Sequence, residues 1–257
     1  MSGDARTVFV TGASAGIGAA CARRFAADGW RVLVCARRAE RVEALVAELQ
    51  AGGAEAHGFA LDVRDPRAVE SAYEALPSNW RRIDVLVNNA GLSRGKDPLQ
   101  EGVLSDWHEM IDTNVKGLLH VTRTVLPGMV ERGSGQVVNI GSLAGHEVYP
   151  GGNVYCATKH AVDAITRGMR LDLVGSGVKV STVDPGLADT EFSTVRYHGD
   201  RAKADATYTG MTPLTAEDVA ETVRWVVDRP AHVNAAQVLL LPTDQASSVD
   251  VHRTDAR

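Results

Sequence analysis

The chain has 257 residues, 27 Lys+Arg against 32 Asp+Glu for a formal net charge of −5, and 44% hydrophobic residues. That is enough chain for one globular core, too hydrophobic for disorder, and without the basic excess that a nucleic-acid backbone demands. Three cysteines (Cys21, Cys35 and Cys156) fit neither a disulfide framework nor a zinc site, and no uncharged apolar run approaches the roughly 18 residues of a membrane span.

These bounds predict a cytoplasmic protein that binds neither membrane nor nucleic acid and needs no metal. Asp4 and Arg6 run straight into the first apolar triplet, which is too short and wrongly flanked for a secretory leader.

Short β-branched runs predict strands at 7–10, 32–35, 58–61, 85–87, 137–140, 178–183 and 238–241. Segments of helical periodicity lie between them, at 17–27, 40–50, 67–76, 105–132, 155–174 and 215–228. Strand and helix in alternation predict a parallel sheet covered by helices on both faces. Asp65-Pro66 and Thr215-Ala-Glu-Asp218 mark helix starts, while Gly52 and Gly133 mark stops. In the 105–132 helix, Ile111, Val115, Leu118, Thr122 and Val125 recur at three- and four-residue steps and predict one face against the sheet. Residues 186–212 lack clear periodicity and are assigned to a substrate lid. The polar tail, about 244–257, is assigned as mobile or packed on a partner subunit.

The run Thr11-Gly-Ala-Ser-Ala-Gly-Ile-Gly18 follows the first strand and opens the first helix. Glycines there permit a tight turn and close backbone approach to a pyrophosphate, which the exposed helix N–H groups then favour. Gly12, Ser14, Ala15, Gly16, Ile17 and Gly18 are therefore candidate cofactor contacts, although the glycine spacing departs from G-x-G-x-x-G. After the second strand, where an acid would hold a ribose 2′-hydroxyl, the chain has Ala36, Arg37 and Arg38. A guanidinium suits a 2′-phosphate, so NADP(H) is the expected dinucleotide; a solvated basic pair is the plainer alternative.

Asp62, with Val63 beside it, ends the third strand; its carboxylate either accepts from an adenine amino group or caps the following turn. Asn88-Asn-Ala-Gly91 ends the fourth strand. Asn89, Ala90 and Gly91 let a cofactor pass close, and Asn88 either ties adjacent strand ends or contacts ligand.

Tyr155 and Lys159 lie four apart on one face of a predicted helix, where an ammonium lowers the tyrosine pKa into an acid–base range. Ser142 follows the fifth strand on the same sheet edge. Together with Asn114 and Pro185-Gly186, these motifs occur in the order of the short-chain dehydrogenase/reductases, which the chain resembles over nearly its whole length. The resemblance implies a single doubly wound, Rossmann-type α/β domain with a seven-stranded sheet. It implies Tyr155 as general acid/base, Ser142 orienting the substrate oxygen, and Lys159 lowering the tyrosine pKa and holding the nicotinamide ribose. Asn114 would hold a relay water near the lysine. Pro185 and Gly186 would meet the nicotinamide carboxamide, and Thr190 that amide or the phosphates; the alternative for Thr190 is a helix N-cap.

The stretches Tyr149-Pro-Gly-Gly-Asn-Val-Tyr155, Thr190-Glu-Phe-Ser-Thr-Val-Arg-Tyr-His-Gly-Asp200 and Pro242-Thr-Asp-Gln-Ala246 resemble the NADP-dependent 3-hydroxy acid dehydrogenases that also oxidise serine and allo-threonine. That resemblance implies a homotetramer and a small β-hydroxy acid. Arg196 is the candidate partner for a substrate carboxylate, with Arg94 and Lys96 competing and a lid salt bridge as the alternative. His146 and Glu147 either line the pocket or form its rim. Rival readings are a reductase of bulkier ketones or aldehydes and a non-catalytic NADP(H) sensor.

Overall fold

The computed structural model describes residues 5–254; Asp4 and the end of the tail, 255–257, lie outside the described residues. Seven parallel strands form one sheet in the order β3-β2-β1-β4-β5-β6-β7. They are β1 (Thr7–Thr11), β2 (Arg31–Ala36), β3 (Ala56–Ala60), β4 (Val85–Asn88), β5 (Gly135–Ile140), β6 (Val178–Pro185) and β7 (Gln237–Leu240). The order reverses between β1 and β4, which opens a crevice at their carboxyl ends.

Nine helices occur among the described residues: α1 (Gly16–Ala27), α2 (Ala39–Ala51), α3 (Pro66–Glu74), α4 (Leu104–Ile111), α5 (Leu118–Glu131), α6 (Asn153–Asp172), α7 (Glu191–Arg196), α8 (Arg201–Ala206) and α9 (Ala216–Val227). Strand side chains alternate between two apolar layers. Val8, Val10, Val32 and Val34 pack with Phe25, Val42 and Val223 of α1, α2 and α9, whereas Phe9, Leu33, Leu86 and Val137 pack with Val69, Val125 and Met129 of α3 and α5.

The expected caps form. Asp65 accepts from the N–H groups of Arg67 and Ala68, and Thr215 and Asp218 cap each other reciprocally. The single helix expected over 105–132 is instead α4 and α5 joined by a π-helical turn, Asp112–Gly117. That wider turn shifts the buried stripe. Ile111 is 39% exposed, while Met110 and Asn114 are buried ahead of Leu118, Thr122 and Val125.

The described tail packs within the chain: Arg253 donates to the carbonyls of Thr207 and Thr209, Thr254 N to Gly210 O, and Ser248 N to the Glu147 carboxylate. The segment read as an irregular lid carries the short helices α7 and α8.

Candidate active site

At the crevice, the turn after β1 is shaped for a pyrophosphate. Gly12 and Gly16 have φ of +66° and +51°, and a Cβ on Gly18 would stand 2.4 Å from Asn89 Nδ2. Ala15, the N-cap of α1, offers no side-chain cap, which leaves the first N–H groups of α1 for an anion. Asn89 donates to the carbonyls of Thr11 and Gly12 and holds this turn against β4, while Asn88 Nδ2 donates to Thr122 Oγ1 and Asn139 Oδ1. Asn88 is thus the strand tie, not a group facing the cavity. One cavity of about 1040 Å³ runs from Ser14, Arg37 and Arg38 past Val63 and Ala90 to Ser142, Tyr155, Gly186 and Arg196. Its glycine cradle, free helix N-terminus and arginines at the end of β2 fit a dinucleotide bearing a 2′-phosphate.

Those arginines carry acidic partners. Arg38 donates to Ser14 Oγ at 2.8 Å and to Glu191 Oε2 at 2.9 Å, and Arg41 also pairs with Glu191. Arg37 lies 3.1 Å from Glu109 Oε1, and Arg94 holds the other oxygen of that carboxylate at 2.7 Å. Burial opposes it, but Arg94 and Arg37 together hold the Glu109 carboxyl below its ordinary range. The sequence reading missed Arg41, Glu109 and Glu191, because Arg37, Arg38 and Arg41 meet these acids across 72 to 153 positions. Asp62 is taken up by Arg64, whose hydrogen bonds hold the Asp62 carboxyl down, and it accepts from Arg64 N at 3.0 Å. The turn-capping alternative is therefore the arrangement observed. Thr190 likewise caps α7 by accepting from Phe192 N at 3.2 Å, while still lining the cavity.

α6 presents Tyr155 and Lys159 to the same cavity, both buried. Lys159 Nζ donates to Ile140 O at 2.8 Å and sits 6.0 Å from the Tyr155 ring centre. Ser142 accepts from Ala144 N at 3.1 Å and lines the same cavity as Tyr155. Burial pushes the phenol up, and the groups that oppose it are the Arg196 charge and the Ser142 hydroxyl. Arg196 is thus a second cation acting on the phenol, while Lys159 on the same helix face is anchored by the Ile140 carbonyl. Burial pulls Lys159 down to about 8, against the opposing charge of Asp184. Asn114 does not turn its amide to Lys159. Its side chain bridges the backbone of Leu92 and Thr158 Oγ1, locking the π-helical turn to the loop after β4 and to α6.

At the far end, Arg196 Nη2 donates to Tyr149 Oη at 3.0 Å, and its guanidinium lies 5.1 Å from the Phe192 ring centre and 5.4 Å from that of Tyr155. Its Nε is buried without a partner among the described residues. Arg94 is committed to Glu109 and Val195 O, and Lys96 stands 5.9 Å from the Tyr149 ring centre. His146 is bonded to Asp184 and Glu147 to Ser248 N, so both serve the frame around the cavity. Sequence reasoning also missed Tyr149, Phe192 and Gln245, which accepts from Leu187 N and seats the turn after Pro185. The Tyr149 and Gln245 runs were visible as motifs without a role.

A phenol, a lysine and a serine at the switch point of a doubly wound sheet, facing a dinucleotide cradle, define an oxidoreductase that works through a bound nicotinamide. The chain belongs to the short chain dehydrogenase family, whose model matches residues 6–200. It is 49% identical to an NADP-dependent 3-hydroxy acid dehydrogenase of Salmonella typhi over 96% of this chain and 99% of that protein. It is equally 49% identical to sulfoacetaldehyde reductase 2 of Chromohalobacter salexigens, over 94% of this chain and 96% of the relative. Among solved structures, the closed form of a serine dehydrogenase complexed with NADP+ matches at a TM-score of 0.92 and 47% identity, covering 96% of this chain and all 100% of the other.

Proposed function

We propose that the protein is an NADP(H)-dependent oxidoreductase that interconverts a small 3-hydroxy acid, serine and allo-threonine among its substrates, with the corresponding oxo acid. The observation that carries the substrate class is Arg196: a cation beside the reacting phenol, walled by aromatic rings, with a buried donor left over for an acidic head group. That donor disfavours a bulky neutral ketone, and the buried Tyr155 and Lys159, with Ser142 lining the same cavity, disfavour a non-catalytic sensor. The relatives named for 3-hydroxy acids and for sulfoacetaldehyde share this small, anionic substrate chemistry.

In the oxidising direction, Ser142 donates to the substrate oxygen and Tyr155, as phenolate, removes its proton. In reduction Tyr155 returns that proton. The nicotinamide, when bound, supplies the redox chemistry by accepting or giving hydride at C4. Lys159 holds the ribose and Arg37, with Arg38 assisting, holds the 2′-phosphate. Pro185, Gly186 and Thr190 border the carboxamide. The α7–α8 segment serves as the lid that excludes water over the reacting atoms.

We further propose a cytoplasmic homotetramer. The exposed Ile111, Leu119 and Val130 on α4 and α5 support an interface between copies, and the three free, buried cysteines suit a reducing compartment. No described helix is long and apolar enough to cross a membrane.

Arg196→Ala tests the substrate class. The ratio of kcat/KM on 3-hydroxy acids to that on neutral short secondary alcohols falls about 100-fold, the worth of a desolvated charge-assisted pair. Using the ratio cancels the effect of Arg196 on Tyr155. An equal loss on both substrate types contradicts the assignment.

A further inference from the structure

Asp184, the last β6 residue before Pro185, is only 2% exposed. A carboxylate in such a place is costly unless it is hydrogen-bonded. Three donors converge on its Oδ2: His146 Nε2 at 2.9 Å, Thr182 Oγ1 at 3.1 Å and Gln237 Nε2 at 3.0 Å. Those bonds account for one oxygen and tie β6 to β7 and to the loop after β5. The second oxygen points elsewhere.

Oδ1 lies against Gly141, where a Cβ would stand 1.8 Å away, so no larger residue fits there while Asp184 keeps this pose. Gly141 joins Ile140, whose carbonyl receives Lys159 Nζ, to Ser142, which orients the substrate oxygen. Gly141 N also donates to Val183 O at 2.9 Å, which docks the turn on the strand that carries Asp184. One carboxylate thus abuts the link between two of the three reacting side chains. A buried ammonium needs a nearby anion to stay charged, and Asp184 is the acid whose charge opposes the desolvation of Lys159.

We propose that Asp184 is a positioning residue for the proton chemistry: its side chain seats the Gly141–Ser142 turn, and through that turn and the adjoining Ile140 carbonyl its carboxylate acts on Lys159. Around this pair, Tyr155 faces Lys159 from the same helix, and His146 and Gln237 face Asp184 from the loop after β5 and from β7. Asp163 of α6 meets Gln237 Nε2 at 3.3 Å on the outer side, and Arg196 acts on Tyr155 from the lid. The proposal rests on Tyr155 and Lys159 being the reacting pair.

The test is NADPH affinity by fluorescence titration, from pH 6 to pH 9, on the intact chain and on Asp184→Asn, alongside the pH profile of kcat. At pH 6 the lysine is charged in both proteins and their affinities agree. At pH 9 the variant binds about tenfold more weakly, and the alkaline fall in kcat for carbonyl reduction moves about one pH unit lower, a tenfold change in proton affinity. An equal loss of affinity at every pH marks Asp184 as packing alone and overturns the proposal, as does an unchanged profile.

Lys159→Met separates the two levels. If it leaves affinity and pH dependence as in the parent, the reading of the lysine fails; if it abolishes the pH dependence while Asp184→Asn does not shift it, only the role of Asp184 fails. Should Asp184→Asn not fold, Asp184→Glu carries the test. It keeps the charge and moves the turn, so kcat falls while the alkaline limb stays in place. A limb that moves in that variant contradicts the proposal.

Discussion

The two ends of the cavity are built differently. At the cofactor end, the shape comes from backbone fixed at the carboxyl edge of the sheet: the Gly12–Gly18 turn, Asn89 on β4's end, and the turn after Pro185. At the substrate end, it comes from side chains on segments far apart in sequence, with Tyr149, Phe192 and Arg196 meeting over Tyr155 and the tail closing behind α8. The first wall is laid down by the sheet itself, and the second by what folds over it.

The largest expected effect makes no distinction between substrates. Tyr155→Phe keeps the ring's packing in the layer with Leu92 and Met110 but removes the transferable proton. Steady-state kinetics should show kcat falling by about 10²–10⁴-fold on acidic and neutral substrates alike, with NADPH affinity by titration near that of the parent. A loss confined to one substrate class would place the acid/base elsewhere.

Arg196, at the substrate end, should separate substrates and leave cofactor choice alone. The smallest effect belongs to the cofactor end, where Arg37→Asp should narrow the NADP+ over NAD+ preference in kcat/KM by about tenfold, the loss of one charge-assisted contact. The size is modest because Arg38 stays within reach of Ser14 and because Arg37 already shares its charge with Glu109. An unchanged preference would shift the 2′-phosphate to the Arg38 and Arg41 pair.

The same division explains what could be read from the chain in advance. β-branched runs such as Val32–Cys35, capped starts such as Asp65-Pro66 and the glycine turn are local signals, and each marks an element the structure contains, within a few residues at its ends. Ser142, Tyr155 and Lys159 were legible because each sits at a fixed distance from a strand end or on one helix face. The π-helical turn was not, since Asn114 earns its place by bonding Leu92 and Thr158, 22 and 44 positions away. Nor was the approach of Arg196 to Tyr155, which brings the lid segment over the helix that carries the phenol. The acid partners of the arginines after β2 and the docking of the tail are long-range pairings of the same kind.

Initial rates of NADPH and NADH formation, measured side by side with serine, allo-threonine and short 3-hydroxy acids, test the assignment most directly. It predicts turnover of these acids with NADP+ well ahead of NAD+. Binding of NADP+ with no turnover of any 3-hydroxy acid, and turnover of neutral ketones or aldehydes instead, would contradict it.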